Sequence, residues 1–250
     1  MVWCWLFIIK MEYGILGCGF AMALTCIIEF ISVTILAHSV ERIQPALFWP
    51  NRESFNGWGE YFAVSIPATV MICAEWWSFE LFVIASSYID INYLAANVIL
   101  QNLCTTMFMF PLGLQEGICS LVGSSIGANN VAQGKKIFVL TSTVSYCFCM
   151  LCAMMLFFFR GSVATLFTND EAVIEILVAT VPLVALSFCV DSMQGILQGT
   201  VRALGIQSRV FIWVIGSFYL VGWPFGMYLG FKKDFKIKGF WMGTMTALTS

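Results

Sequence analysis

Charge is scarce in this sequence: Asp, Glu, Lys and Arg make up 10% of its 250 residues, against roughly a quarter in soluble domains. That shortage places the chain in the membrane class. The charges also nearly cancel, 12 basic against 14 acidic for a net charge of -2, which leaves no basic face for nucleic acid. Histidine occurs once, as His38, so a multi-histidine metal site is excluded and no metal ligands are expected. The Gly-x-Gly-Asp pattern of intramembrane aspartyl proteases is absent too, and the chain reads as no enzyme. A positive charge before the first apolar run and a small-residue cleavage site are both missing from "MVWCWLFIIK", so a signal peptide is not expected there.

What abounds is hydrocarbon: 60% of the residues are hydrophobic and the mean hydropathy is +0.89. Apolar stretches long enough for a bilayer, which takes about 20 residues, occupy 13–40, 61–84, 94–126, 138–159, 173–199 and 210–231. Another begins near Gly239 and runs to the last residue, while residues 1–12 read as the tail of an earlier helix; the chain looks truncated at both ends. The cysteines at 73, 104, 147, 149, 152 and 189 lie inside these runs and read as small hydrophobes rather than a disulfide framework.

Turn chemistry marks the connections. "QPALFWPNRESFNGWGE" holds Pro45, Pro50 and an Asn-Gly pair, and "GANNVAQGKK" and "FKKDFKIKG" are two more breaks. Thr168 with Glu171 three residues later reads as a capping box opening a helix near 169. "GFAMALT" at 19–25 and "GFWMGTM" at 239–245 form a weak internal match at the distance expected of two parallel transporter repeats. Basic residues do not orient the chain, since alternate loops hold six each.

The intramembrane acids carry the functional signal. Ionised in lipid, Glu75, Glu80 and Asp191 would each cost roughly 2.5–3.5 kcal/mol on insertion scales, so they must face protein or water. Glu75 stands mid-span, too far from either end to reach water directly. Five residues turn a helix by about 500°, which sends Glu80 about 140° away from Glu75. Neither Glu75 nor Asp191 has a cationic partner in its own segment. Such carboxyls suit loading and releasing a proton, neutral in one state and holding a cation in the other; the plainer reading is acids hydrogen-bonded for packing alone. Trp76, Trp77 and Phe79 flank Glu75 and suit either a cation–π cage or an interfacial belt. Pro67, Pro111, Pro182 and Pro224 fall within spans, as helix bends or as breaks that open backbone to a cavity.

"EYFAVSIPATVMICAEWWSFELFVIAS" resembles the seventh helix of eukaryotic multidrug and toxic compound extrusion (MATE) transporters, whose Glu-Trp-Trp-x-x-Glu pattern is specific. "FPLGLQEGICSLVGSSIGANNVAQGKK", "LFTNDEAVIEILVATVPLVALSFCVDSMQGILQGTVRALG" and "YLVGWPFGMYLGF" match further on, in family order. The resemblance implies an all-α polytopic membrane protein: one six-helix lobe, with the preceding helix, of a two-lobe, twelve-helix transporter. Residues 1–40 would end the N-terminal lobe, 41–60 link the lobes, and 61–250 form a C-terminal lobe truncated in its last helix. It further implies a secondary antiporter exporting organic cations or xenobiotics by alternating access, coupled to H+ in preference to Na+ and using no other cofactor. Its partners would be a small-molecule substrate, the bilayer and the missing N-terminal lobe, in a plasma or vacuolar-type membrane. By the same likeness Glu75 and Asp191 serve proton coupling and substrate binding, Glu80 matches the motif's second acid, and Asn102 stands where some animal members carry another acid. "GANN" departs from the family in its second glycine. A lipid-linked flippase of the same superfold and an inactive truncated fragment are the alternatives.

Overall fold

The computed structural model describes residues 2–41, 44, 47 and 51–250; Arg42, Pro45 and Pro50 of the proposed linker lie outside them. Two compact units emerge, residues 1–58 and 59–250.

In the first unit a helical turn at Val2–Cys4 widens into a π-helical turn at Trp5–Lys10, and α1 (Gly14–Ser39) follows. Gly17 lets the two pack: a Cβ there would lie 2.8 Å from the Phe7 carbonyl oxygen. Asn51 and Ser54 form a reciprocal cap on the short 3-10 turn Arg52–Phe55. Gly57, the glycine of the Asn-Gly pair, has φ +77° and supplies the expected turn.

The second unit is a bundle of α2 (Trp58–Ser86), α3 (Ile91–Gly127), α4 (Val131–Phe167), α5 (Glu171–Ala203), α6 (Gln207–Lys232) and α7 (Ile237–Thr249). With α1, six helices among the described residues are long and apolar enough to cross a membrane. They coincide with the six apolar stretches and overrun them at most ends, because amphipathic turns extend a span beyond its hydrocarbon part. One cap differs from expectation: Asp170, not Thr168, caps α5, its carboxylate accepting from the Ala172 and Val173 amides, while the Thr168 hydroxyl accepts from Asp170. Asp is the stronger cap, its charge being matched to the helix dipole. The missing glycine of "GANN" also has a local answer. Asn129 adopts φ +61°, a left-handed conformation that Asn tolerates better than other side-chain-bearing residues.

α5 packs on α3, α4 and α7, α3 and α4 pack on one another, and α6 packs along α7. α5 and α3 approach through Gly195 and Gly199, where a Cβ at Gly199 would meet the Gln115 carbonyl oxygen at 2.5 Å. α6 and α7 meet along a second glycine seam, Gly222, Gly226 and Gly230 against Gly239 and Gly243. This small-xxx-small spacing brings backbones together where lipid offers no hydrophobic drive. Side chains of α2 complete the core: Phe82 stacks on Phe240 at 5.3 Å, and the Trp241 indole donates to Asn97 Oδ1 (3.1 Å), whose amide donates to the Phe82 carbonyl.

Pro67, Pro111 and Pro182 lie inside continuous helices. Pro67 cannot donate to the Ala63 carbonyl, and the start of α6 compensates: Ser208 Oγ donates to Ala63 O (3.4 Å) and Gln207 Nε2 to Val64 O (3.3 Å). Pro224 stands in a short α-helical piece, Trp223–Met227, between π-helical Gly216–Gly222 and Tyr228–Lys232. A break in helical geometry also occurs without any proline, at Phe159 in α4 (φ −101°, ψ 16°).

Candidate functional site

α2, α3, α5 and α7 enclose a cavity with about 510 Å³ of empty volume, including its open part. Glu75, Trp76 and Phe79 come from α2; Gln101, Cys104, Thr105 and Phe108 from α3; Ser187, Phe188 and Asp191 from α5; Trp241 and Leu248 from α7. Helical spacing explains the selection. Positions 101, 105 and 108 on α3, and 187, 188 and 191 on α5, each recur on one face at three or four residues.

The two mid-span acids meet here. Glu75 and Asp191 line the same cavity, close enough for their carboxyls to interact. Glu75 is 8% exposed, and its Oε2 accepts from Gln198 Nε2 at 2.7 Å. Asp191 Oδ1 has no donor among the described residues. Beside them the Tyr219 hydroxyl of α6 donates to the Ala74 carbonyl (3.1 Å), tying α6 to α2 one residue from Glu75. Neighbouring carboxylates repel one another, and a proton between two carboxyls turns that repulsion into a hydrogen bond.

Other residues singled out from sequence lie elsewhere. Glu80 is exposed, as its rotation away from Glu75 dictates. Trp77 is 63% exposed and does not line the cavity; Trp76 (39% exposed) and Phe79 do, with Phe108, Phe188 and Trp241 supplying the other rings. Of the three rings flanking Glu75 in sequence, Trp76 and Phe79 thus line the cavity and Trp77 points away from it, because consecutive residues on a helix diverge by about 100°. Asn102 is likewise exposed, and its neighbour Gln101 takes the inward position. Glu116 pairs with Arg202 at 2.7 Å. All ten cysteines are free thiols, and no cluster among the described residues is fit to hold a metal ion.

Gln198 escaped the sequence reading, although it follows Asp191 by seven residues and so shares its face. Gln198→Leu should strip the buried Glu75 of its amide donor and destabilise the protein by about 1–3 kcal/mol, read as a lowered thermal midpoint in detergent; an unchanged midpoint would mean the 2.7 Å bond contributes nothing.

The MatE family model matches residues 67–228 of this chain. Multidrug and toxin extrusion protein 1 of Oryctolagus cuniculus is 28% identical over 198 residues, which cover 79% of this chain and 35% of that protein. Protein DETOXIFICATION 12 of Arabidopsis thaliana is 27% identical over 242 residues, covering 96% of this chain and 50% of its own length. The crystal structure of the eukaryotic MATE transporter AtDTX14 aligns with a TM-score of 0.90 at 24% identity, over 99% of this chain and 56% of the other. The chain thus spans about half the length, or less, of these relatives, and its fold is that of a MATE transporter lobe. With the family match extending from α2 through α6 and so over most of the chain, this integral multi-pass membrane protein belongs to the MatE family.

Proposed function

We propose that the chain is the C-terminal lobe, preceded by the last helix of an N-terminal lobe and a linker at 41–60, of a proton-coupled antiporter that exports organic cations. The observation that carries this reading is the Glu75–Asp191 pair, sequestered in an apolar, ring-lined cavity. Protonated, the pair is neutral and holds no cation. Deprotonated, it offers negative charge beside Trp76, Phe79 and Trp241, surroundings that suit a lipophilic cation through charge and π-face contact together. Proton and substrate then compete for one site, which is the linkage that exchange requires. H+ is favoured over Na+ because two neighbouring carboxyls can share and release a proton. The names of the relatives, multidrug and toxin extrusion protein among them, support the same class of substrate. A flippase of phosphate-bearing lipids would call for cationic groups, and the charged groups lining this cavity are acidic.

The test is efflux of a fluorescent organic cation from vesicles containing the chain extended by the upstream half that its relatives carry. An imposed proton gradient should drive uphill transport, a protonophore should stop it, and a sodium gradient alone should not replace it. Transport driven by sodium with the proton gradient collapsed would overturn the choice of ion, and preference for an anionic tracer would overturn the substrate class.

A further inference from the structure

The inner face of α5 continues past the acid pair as a polar stripe. Ser187, Asp191, Gln194, Gln198 and Arg202 follow one another at intervals of three or four residues, so they line one face over about 22 Å of helix. Most of them hold buried polar atoms with no partner among the described residues: Ser187 Oγ, Asp191 Oδ1, Gln194 Oε1 and Arg202 Nε. Ser187 is almost wholly buried and is among the residues lining the cavity. Unpaired polar atoms at membrane depth are costly and find water where they can. From α3 the Gln115 side chain joins them, its Oε1 against the Gly195 backbone. The stripe ends at the Arg202–Glu116 ion pair, whose acid is 59% exposed.

In the opposite direction the polar face is interrupted before it reaches the pocket that Thr180 lines with Asp90, Glu175 and Lys236. Counting back from Asp191 along the same face gives Val184, Thr180 and Leu177, all fully buried. The Thr180 hydroxyl is spent on its own helix at Ile176 O, and the two aliphatics belong to the main core with Val181 and Phe240. The titratable and charged groups facing the stripe from other helices are Glu75, Cys104 and Glu116.

We infer that this stripe is a route along which water molecules carry protons between the acid pair and the Arg202 end of the bundle, Gln194 holding those waters in line at its middle. The inference rests on the proton-coupled reading above and adds to it the path and the side of access.

A cysteine-free form of the extended protein, with single cysteines restored, tests it. A membrane-impermeant methanethiosulfonate should modify Gln194→Cys from the Arg202 side only. It should leave Val184→Cys, in the core, and Leu197→Cys, 49% exposed on another face, unmodified. Separately, Gln194→Leu should slow proton-driven efflux about tenfold with equilibrium binding of the fluorescent cation unchanged, and Gln194→Asn should restore it. Labelling of Gln194→Cys no faster than of Leu197→Cys, labelling from the opposite side, or full-speed transport by Gln194→Leu would each overturn the route. If the unmutated extended protein shows no proton-driven transport, the antiport reading fails and takes the route with it. The labelling pattern then still reports whether water enters the lobe.

Discussion

Glu75→Gln and Asp191→Asn should each reduce uphill transport to the level of empty vesicles while leaving the protein as stable as its parent, or more so. Both substitutions keep the shape and the hydrogen bonds: the amide carbonyl that Glu75→Gln introduces still accepts from Gln198, and an amide at either position can donate to the remaining carboxyl. What they delete is a negative charge from a cavity that disfavours it. Removing such charge is commonly neutral or stabilising when the remaining groups stay paired. An acid kept for architecture would give the reverse pattern, transport intact and the thermal midpoint lowered. Two measurements on one pair of variants, efflux under a proton gradient and thermal unfolding in detergent, therefore separate the readings.

Gly243→Ala is expected to be among the most damaging conservative changes in the second unit. The added methyl would stand 2.5 Å from the Gly226 Cα and 2.6 Å from the Gly222 carbonyl oxygen, so backbone must move. No side chain there can swing aside. Overpacking a well-fitted core costs about 1–3 kcal/mol, and a backbone collision in a glycine seam belongs at the upper end. A large fall in the folded, monodisperse fraction by fluorescence-detected size-exclusion chromatography is the expected result; normal yield and midpoint would show that α6 and α7 separate freely. Gly113→Ala in α3 is the matching control, since a Cβ there meets nothing within 4 Å.

The spans were legible from hydropathy because six long helices are six long apolar runs. Mid-span acids also announced themselves, for a carboxyl so far from either membrane face has to be accommodated by protein. What hydropathy does not carry is which helix faces which. Gln198, Gln101 and Trp241 become site residues only once α5, α3 and α7 are placed around α2. Asn102 and Trp77 looked equally eligible because a one-residue offset, about 100° of helix, is invisible without a neighbour. The glycine seam was present in the spacing 222, 226, 230 and 239, 243, but the stretch at 239–245 reads from sequence only as a repeat. Asp170 took over the cap of α5 from Thr168 because two acceptable capping residues lay two positions apart, and the stronger acceptor prevailed.

The seam between α6 and α7 has one more property. Side-chain ridges keep packed helices apart; a glycine track lets two backbones touch and leaves sockets that neighbouring side chains fill. With π-helical turns on both sides of Trp223–Met227, the α6–α7 hairpin fits at one spacing only, since the Phe240 ring, Ala247 and the Phe82 ring from α2 fill the gaps left at Gly230, Gly222 and Gly226.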